Sequence, residues 1–194
     1  TPHKLRNEML DKIPAEFWIT PKKVFEPCAG KGGFLVDILD RFMIGLEDEE
    51  KDEKLRHKLI VEECIYFADI NPTNIFICKL LLDPLNQYKL KYNEGNTLEL
   101  DIKKKWNLEG FDAVIGNPPY QNSCGNKGRG NTLWNKFVNI SLNTWLNNNG
   151  YLCFVHPQGW RQIGNQTGKL ILSKQILYLN MNDVKEGEIG RAHV

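Results

Sequence analysis

Asn117-Pro118-Pro119-Tyr120 sets a side-chain amide, two imino acids and a phenol directly after the short strand-forming run Phe111-Asp112-Ala113-Val114-Ile115 and Gly116. Proline locks φ near about −65°. The carbonyl of Pro118 and the side-chain oxygen of Asn117 can therefore be held toward one point. Two neutral acceptors suit an exocyclic or amide NH2. Accepting both hydrogens draws the nitrogen lone pair out of conjugation and makes it a nucleophile. No strong base is needed, because the proton becomes acidic once the nitrogen has been alkylated. Tyr120 adds a π-face on which a planar ring can stack.

Two further segments carry chemistry. Phe25-Glu26-Pro27-Cys28 leads into Ala29-Gly30-Lys31-Gly32-Gly33, a turn that lets a backbone approach a ligand closely because Cβ atoms are missing. A tight turn between strand and helix accounts for the glycines equally well on its own. No Gly-Lys-Ser/Thr follows, so it is not a phosphate-binding loop. Glu26 would repel a diphosphate and suits a cationic ligand, such as a sulfonium bearing an α-ammonium group. Asp69 lies 39 residues beyond Gly30, at the end of Cys64-Ile65-Tyr66-Phe67-Ala68. An acid there can accept from both hydroxyls of a ribose, although a lone Asp in that place is also a helix N-cap. The spacing is roughly twice the ~20 residues of a dinucleotide fingerprint. The charged stretch Glu47 to Lys58 accounts for the excess.

These segments need strands to end on and helices to follow them. Strands are predicted at 23–27, 64–68, 88–92, 111–115 and 151–155. Helices are predicted over 4–13, 34–44, 72–82 and 132–146, from apolar residues at helical spacing. Pro72 stands at the tolerated first helical position. The stretch 47–58 reads as a solvated helix laced with ion pairs. Residues 121–130 read as a polar, glycine-rich loop. Strands alternating with helices predict an α/β fold, a mostly parallel sheet with helices on both faces. In such a sheet ligands sit at the carboxyl ends of the strands, where all three segments fall.

The composition fits this reading. A chain of 194 residues, 41% hydrophobic and 25% charged, is long enough for one full core. Its five cysteines, Cys28, Cys64, Cys78, Cys124 and Cys153, form no Cys-x-x-Cys pair. They read as reduced thiols in a cytoplasmic protein, without a disulfide framework or metal site. No apolar run approaches the ~20 residues of a membrane span. The net charge of +1 does not mark a nucleic-acid-binding surface. The six residues Ile189-Gly190-Arg191-Ala192-His193-Val194 match the translation of a short-read sequencing adapter, so 189–194 are expected to be a non-native tail.

Taken in order, Phe25 to Phe34, Ala68-Asp69-Ile70-Asn71-Pro72, Gly95-Asn96-Thr97-Leu98 and Ile115 to Tyr120 resemble the N6-adenine DNA methyltransferases of restriction–modification systems. Thr1-Pro2 and Gly150 to Pro157 are similar to further segments of the subgroup whose recognition domain is C-terminal. The resemblance spans about residues 1 to 160 and implies the Rossmann-like S-adenosylmethionine-dependent methyltransferase fold. It implies a catalytic domain over 1–188, incomplete at its C-terminus and lacking the recognition domain. Thr1 and Glu26 would hold the methionine part of S-adenosylmethionine, with Gly30 and Gly32 admitting it. Asp69 would bind the ribose, Ile70 would pack on the adenine, and Asn96 would meet the adenine amino edge, where the family often has Asp. Asn117, Pro118, Pro119 and Tyr120 would handle an adenine flipped out of double-stranded DNA. The partners implied are that DNA and a restriction endonuclease or fused nuclease. With the recognition domain absent, Lys127 and Arg129 are the remaining candidates for phosphate contacts. Protein glutamine-N5 and RNA N-methyltransferases share the Asn-Pro-Pro-Tyr chemistry and stay open, as does a non-catalytic nucleic-acid-binding relative.

Overall fold

A computed structural model describes residues 1–120, 132–162 and 164–180. Five strands, β1 (Val24–Glu26), β2 (Ile65–Asp69), β3 (Lys91–Glu94), β4 (Phe111–Gly116) and β5 (Leu146–Phe154), form one sheet in the order β3-β2-β1-β4-β5. Every pairing is parallel. The chain therefore builds outward from β1 through β2 to β3, then returns to the other side of β1 for β4 and β5.

Parallel neighbours need crossovers, and these are right-handed almost without exception. Reversing the direction of building therefore moves the connecting helices to the opposite face. The helices α1 (His3–Leu10), α2 (Gly33–Gly45), α3 (Glu53–Leu59) and α4 (Pro72–Leu82) belong to the first half. The helices α5 (Ile102–Trp106) and α6 (Trp134–Ile140) flank β4, and α7 (Gln166–Leu172) follows β5. Alternation along the strands divides the core accordingly. Val24, Ile65, Phe67, Ala113 and Ile115 pack with Leu35, Ile38, Phe42 and Ile75 on one face. Phe25, Tyr66, Ala68 and Val114 pack with Ile102, Phe137 and Trp145 on the other. The inner strands are buried along nearly their whole length, as a sheet covered on both faces requires.

The predicted elements hold with four adjustments. The third strand begins at Lys91, not at 88, because the Asp83 carboxylate accepts from the backbone N–H of Gln87 (2.9 Å) and of Tyr88 (2.7 Å). Those donors are spent on a turn before the ladder starts. Within 47–58 only the part from Glu53 is helical; Asp52 caps it by accepting from the N–H groups of Lys54 and Leu55, both at 2.9 Å. The predicted helix 132–146 is α6 followed by a wider π-type turn over Ser141–Trp145. The last strand starts at Leu146, since Phe111 pairs with Leu146 and Ala113 already with Tyr151; 147–150 bulge out between these two rungs. The loop expected at 121–130, with Lys127 and Arg129, and the tail at 189–194 lie outside the described residues. No helix among the described residues is long and apolar enough to cross a membrane.

Candidate active site

The strand order reverses at β1 and β4, so the crevice at their carboxyl ends is where an open α/β sheet binds its ligand. Glu26 is the last residue of β1, Asp69 the last of β2, and Asn117 follows β4 directly. Three segments far apart in sequence thus meet at one edge of the sheet.

Glu26 is 2% exposed, and its Oε2 has no hydrogen-bond partner among the described residues. Burial first, and the nearby Asp69 carboxylate second, push its pKa well above the ordinary carboxylate range, while Arg6 opposes them. A buried carboxyl without a partner is costly, and an arriving cation removes the cost.

The glycine turn divides its labour. Gly30 (φ +54°) is left-handed, and a Cβ there would meet nothing within 4 Å. It faces open space, as a residue beside a ligand should. Gly32 (φ +76°) is also left-handed, but a Cβ on it would come within 2.9 Å of Leu81 Cδ1 on α4. At Gly33 a Cβ would fall 2.9 Å from the Arg6 guanidinium. Close packing, and not a ligand alone, explains the second and third glycines.

Asp69 is 8% exposed and works in both directions. Its Oδ2 accepts from the Gly30 N–H at 2.8 Å; its Oδ1 accepts from Asn71 N–H (2.8 Å) and Asn74 Nδ2 (3.1 Å). A carboxylate offers about four lone-pair sites. It therefore fastens the glycine turn and the start of α4 while retaining capacity for a ribose hydroxyl. The cap role expected of a lone Asp falls instead to Asn71, which accepts from Thr73 N–H at 2.9 Å ahead of Pro72. Beside it Ile70 is 72% exposed, an apolar side chain left bare where a base would lie. Asn96 is exposed; it caps the short helix 97–99 through Leu98 N–H and donates to Glu99 Oε1 at 2.6 Å.

Asn117 donates through Nδ2 to Thr1 Oγ1 at 3.2 Å, across 116 residues of sequence. The amide nitrogen is thereby occupied, and its carbonyl oxygen has no partner among the described residues. That is the orientation an acceptor for an NH2 group needs. Pro118 is buried and Pro119 exposed, while Tyr120 is half-buried, with its phenol pKa raised by burial. Both ends of the tetrapeptide are tied: Val155 N–H donates to the Gly116 carbonyl (3.2 Å), and Leu133 N–H to the Tyr120 carbonyl (3.1 Å).

Arg6 escaped the sequence reading. Its Nε donates to Asp37 Oδ2 at 2.5 Å and its Nη1 to the Thr1 carbonyl at 2.7 Å. It thus joins α1 to α2 and fixes the segment that carries Thr1. The only hint in the sequence was a cation set among Leu5, Met9 and Leu10.

This sheet order, with a buried carboxylate, a glycine turn and an amide acceptor at its switch point, defines a methyltransferase domain of the class I S-adenosylmethionine-dependent fold. Solved structures with that fold superimpose on most of the chain. A modification subunit of a putative type I restriction enzyme from Vibrio vulnificus aligns at TM-score 0.60 and 18% identity over 89% of this chain and 37% of its own. The M protein of the type I restriction enzyme EcoKI aligns at 0.59 and 21%, over 88% and 36%. A putative class I S-adenosylmethionine-dependent methyltransferase from Listeria monocytogenes aligns at 0.60 and 14%, over 89% and 51%. The chain thus spans little more than a third of the restriction subunits and about half of the Listeria protein. No curated protein matches it in sequence. The profile of the Eco57I restriction-modification methylases matches residues 63–185, well over half of the 194, and the chain belongs to that family.

Proposed function

We propose that residues 1–188 belong to the catalytic domain of a DNA methyltransferase that moves a methyl group from S-adenosylmethionine to N6 of adenine. The observation that carries this reading is the Thr1–Asn117 hydrogen bond, which joins the cofactor side of the crevice to the acceptor side. S-adenosylmethionine supplies an electrophilic methyl group on a sulfonium. Glu26 takes the ammonium of its methionine part, Gly30 leaves room for it, and Asp69 accepts from its ribose. Ile70 covers one face of its adenine, and Asn96, once freed from Glu99, meets the amino edge. On the other side Asn117 Oδ1 and the Pro118 carbonyl accept the two hydrogens of the target NH2, and Pro119 stiffens the turn. Tyr120 stacks on the extruded base. Double-stranded DNA is the partner in this reading, with a restriction nuclease either separate or fused, in the cytoplasm. Incubation of the full-length protein with S-adenosylmethionine labelled in the methyl group, followed by nucleoside analysis, should put the label in N6-methyladenine of DNA. Label in glutamine of protein or in RNA, with none in DNA, would overturn the choice of acceptor.

The Glu26 carboxyl supplies a separate check. In the free protein its pKa is raised, so it holds a proton above the ordinary carboxylate range. An ammonium seated on it favours the ionised form and lowers that pKa. Binding therefore releases a proton between the two values, and affinity should rise with pH up to the free-state pKa and level off above it. Calorimetry in buffers of different ionisation enthalpy should detect this proton, and Glu26→Gln should abolish it. A release that persists unchanged in Glu26→Gln would remove Glu26 from the ligand.

A further inference from the structure

We propose that Arg6 binds the α-carboxylate of the methionine part of S-adenosylmethionine, an assignment that rests on the methyl-donor reading above.

Two contacts put this guanidinium at the mouth of the cofactor crevice, and an electrostatic effect agrees with them. It lies where a Cβ on Gly33 would stand, so it rests against the glycine turn itself. It holds the carbonyl of Thr1, whose hydroxyl meets Asn117. Its charge acts on Glu26, the carboxylate assigned to the ammonium. An α-amino acid carries its ammonium and carboxylate on one carbon. A residue that receives the first therefore needs a cation close by for the second.

The donor count allows it. Arginine has five N–H groups in a planar fork. Two face Asp37, from Nε at 2.5 Å and Nη2 at 3.4 Å, and one faces the Thr1 carbonyl. Two remain. Asp37 is nearly buried and holds the fork in a fixed orientation, with side-chain exposures of 16% for Arg6 and 4% for Asp37. An oriented guanidinium that still reaches solvent is well suited to a carboxylate. Lys31 is the rival within the glycine turn, but it is exposed and has no hydrogen-bond or ion-pair partner among the described residues.

Calorimetric affinities for S-adenosylmethionine and for its decarboxylated analogue test the assignment without any turnover. The unmutated protein should prefer the intact cofactor by about 10- to 100-fold, the range of one charge-assisted hydrogen bond. Arg6→Gln should cut that preference to within about threefold by weakening the intact cofactor alone. Lys31→Ala should leave it unchanged. Since Arg6→Gln strands the Asp37 carboxylate, Arg6→Gln with Asp37→Asn removes the pair together and should give the same pattern in a soundly folded protein. Equal weakening of both ligands would mean that Arg6 only holds α1 in place, and the assignment fails. It fails too if Lys31→Ala abolishes the preference. An unmutated protein that binds neither ligand overturns the methyl-donor reading, and the assignment with it.

Discussion

Alanine in place of Asn117 is expected to slow methyl transfer by about 10²–10³-fold, the usual cost of one preorganised group aimed at charge that develops in the transition state. The side-chain oxygen of Asn117, without a partner among the described residues, is directed by the bond its own nitrogen gives to Thr1, and the strand end beneath it is held by Val155. The acceptor is therefore set before substrate arrives, which is the condition under which such a group has its full effect. Cofactor affinity should fall by only a few-fold, through the released Thr1 hydroxyl, since one neutral hydrogen bond is worth about 0.5–1.5 kcal/mol. Single-turnover rates of the full-length protein on saturating DNA, beside calorimetry for the cofactor, separate the two effects. An Asn117→Ala protein that methylates at the unmutated rate would reduce Asn-Pro-Pro-Tyr to a turn.

The parts of this site that could be read from sequence share a physical cause. Apart from Asp112, Phe111 to Gly116 is apolar because both faces of its strand are covered, and that pattern betrays a central parallel strand without any long-range information. Asn71-Pro72 opens a helix by local capping alone, and the structure keeps it. What escaped was non-local. The start of β3 depends on where the Asp83 carboxylate spends its lone pairs, and Lys89 N–H meets Glu62 Oε1 at 2.9 Å across 27 residues. No period in the local sequence records either event. Gly33 invited a ligand-based explanation, whereas its missing Cβ makes room for Arg6 from a different helix. The three segments that converge could be placed on strand ends from their own residues. That they share one crevice follows from the strand order, which the alternation of strands and helices suggests but does not state.

Asp69→Ala should have the larger effect on binding, weakening S-adenosylmethionine by about 30- to 1000-fold, or roughly 2–4 kcal/mol. Hydrogen bonds to a charged acceptor are worth ~1.5–3 kcal/mol each, and water replaces part of that in an opened site. A second contribution comes from the protein itself. Without the carboxylate, the Gly30 N–H loses its 2.8 Å partner, and Asn71 and Asn74 lose theirs at 2.8 and 3.1 Å. The glycine turn is then free to drift from the end of β2 and must be reordered when the cofactor binds. Asp69→Asn separates these contributions. It keeps one oxygen, which can still accept from Gly30, but sets an NH2 against the Asn71 and Asn74 donors and offers the ribose no acceptor there. Its thermal stability should lie between those of the unmutated protein and Asp69→Ala, while its cofactor affinity should fall most of the way to the alanine level. The methyl-transfer rate at saturating cofactor should change far less than in Asn117→Ala, because Asp69 touches nothing that reacts. If calorimetry finds the affinity of Asp69→Ala unchanged, the carboxylate is a fastening for the turn and no part of the cofactor site.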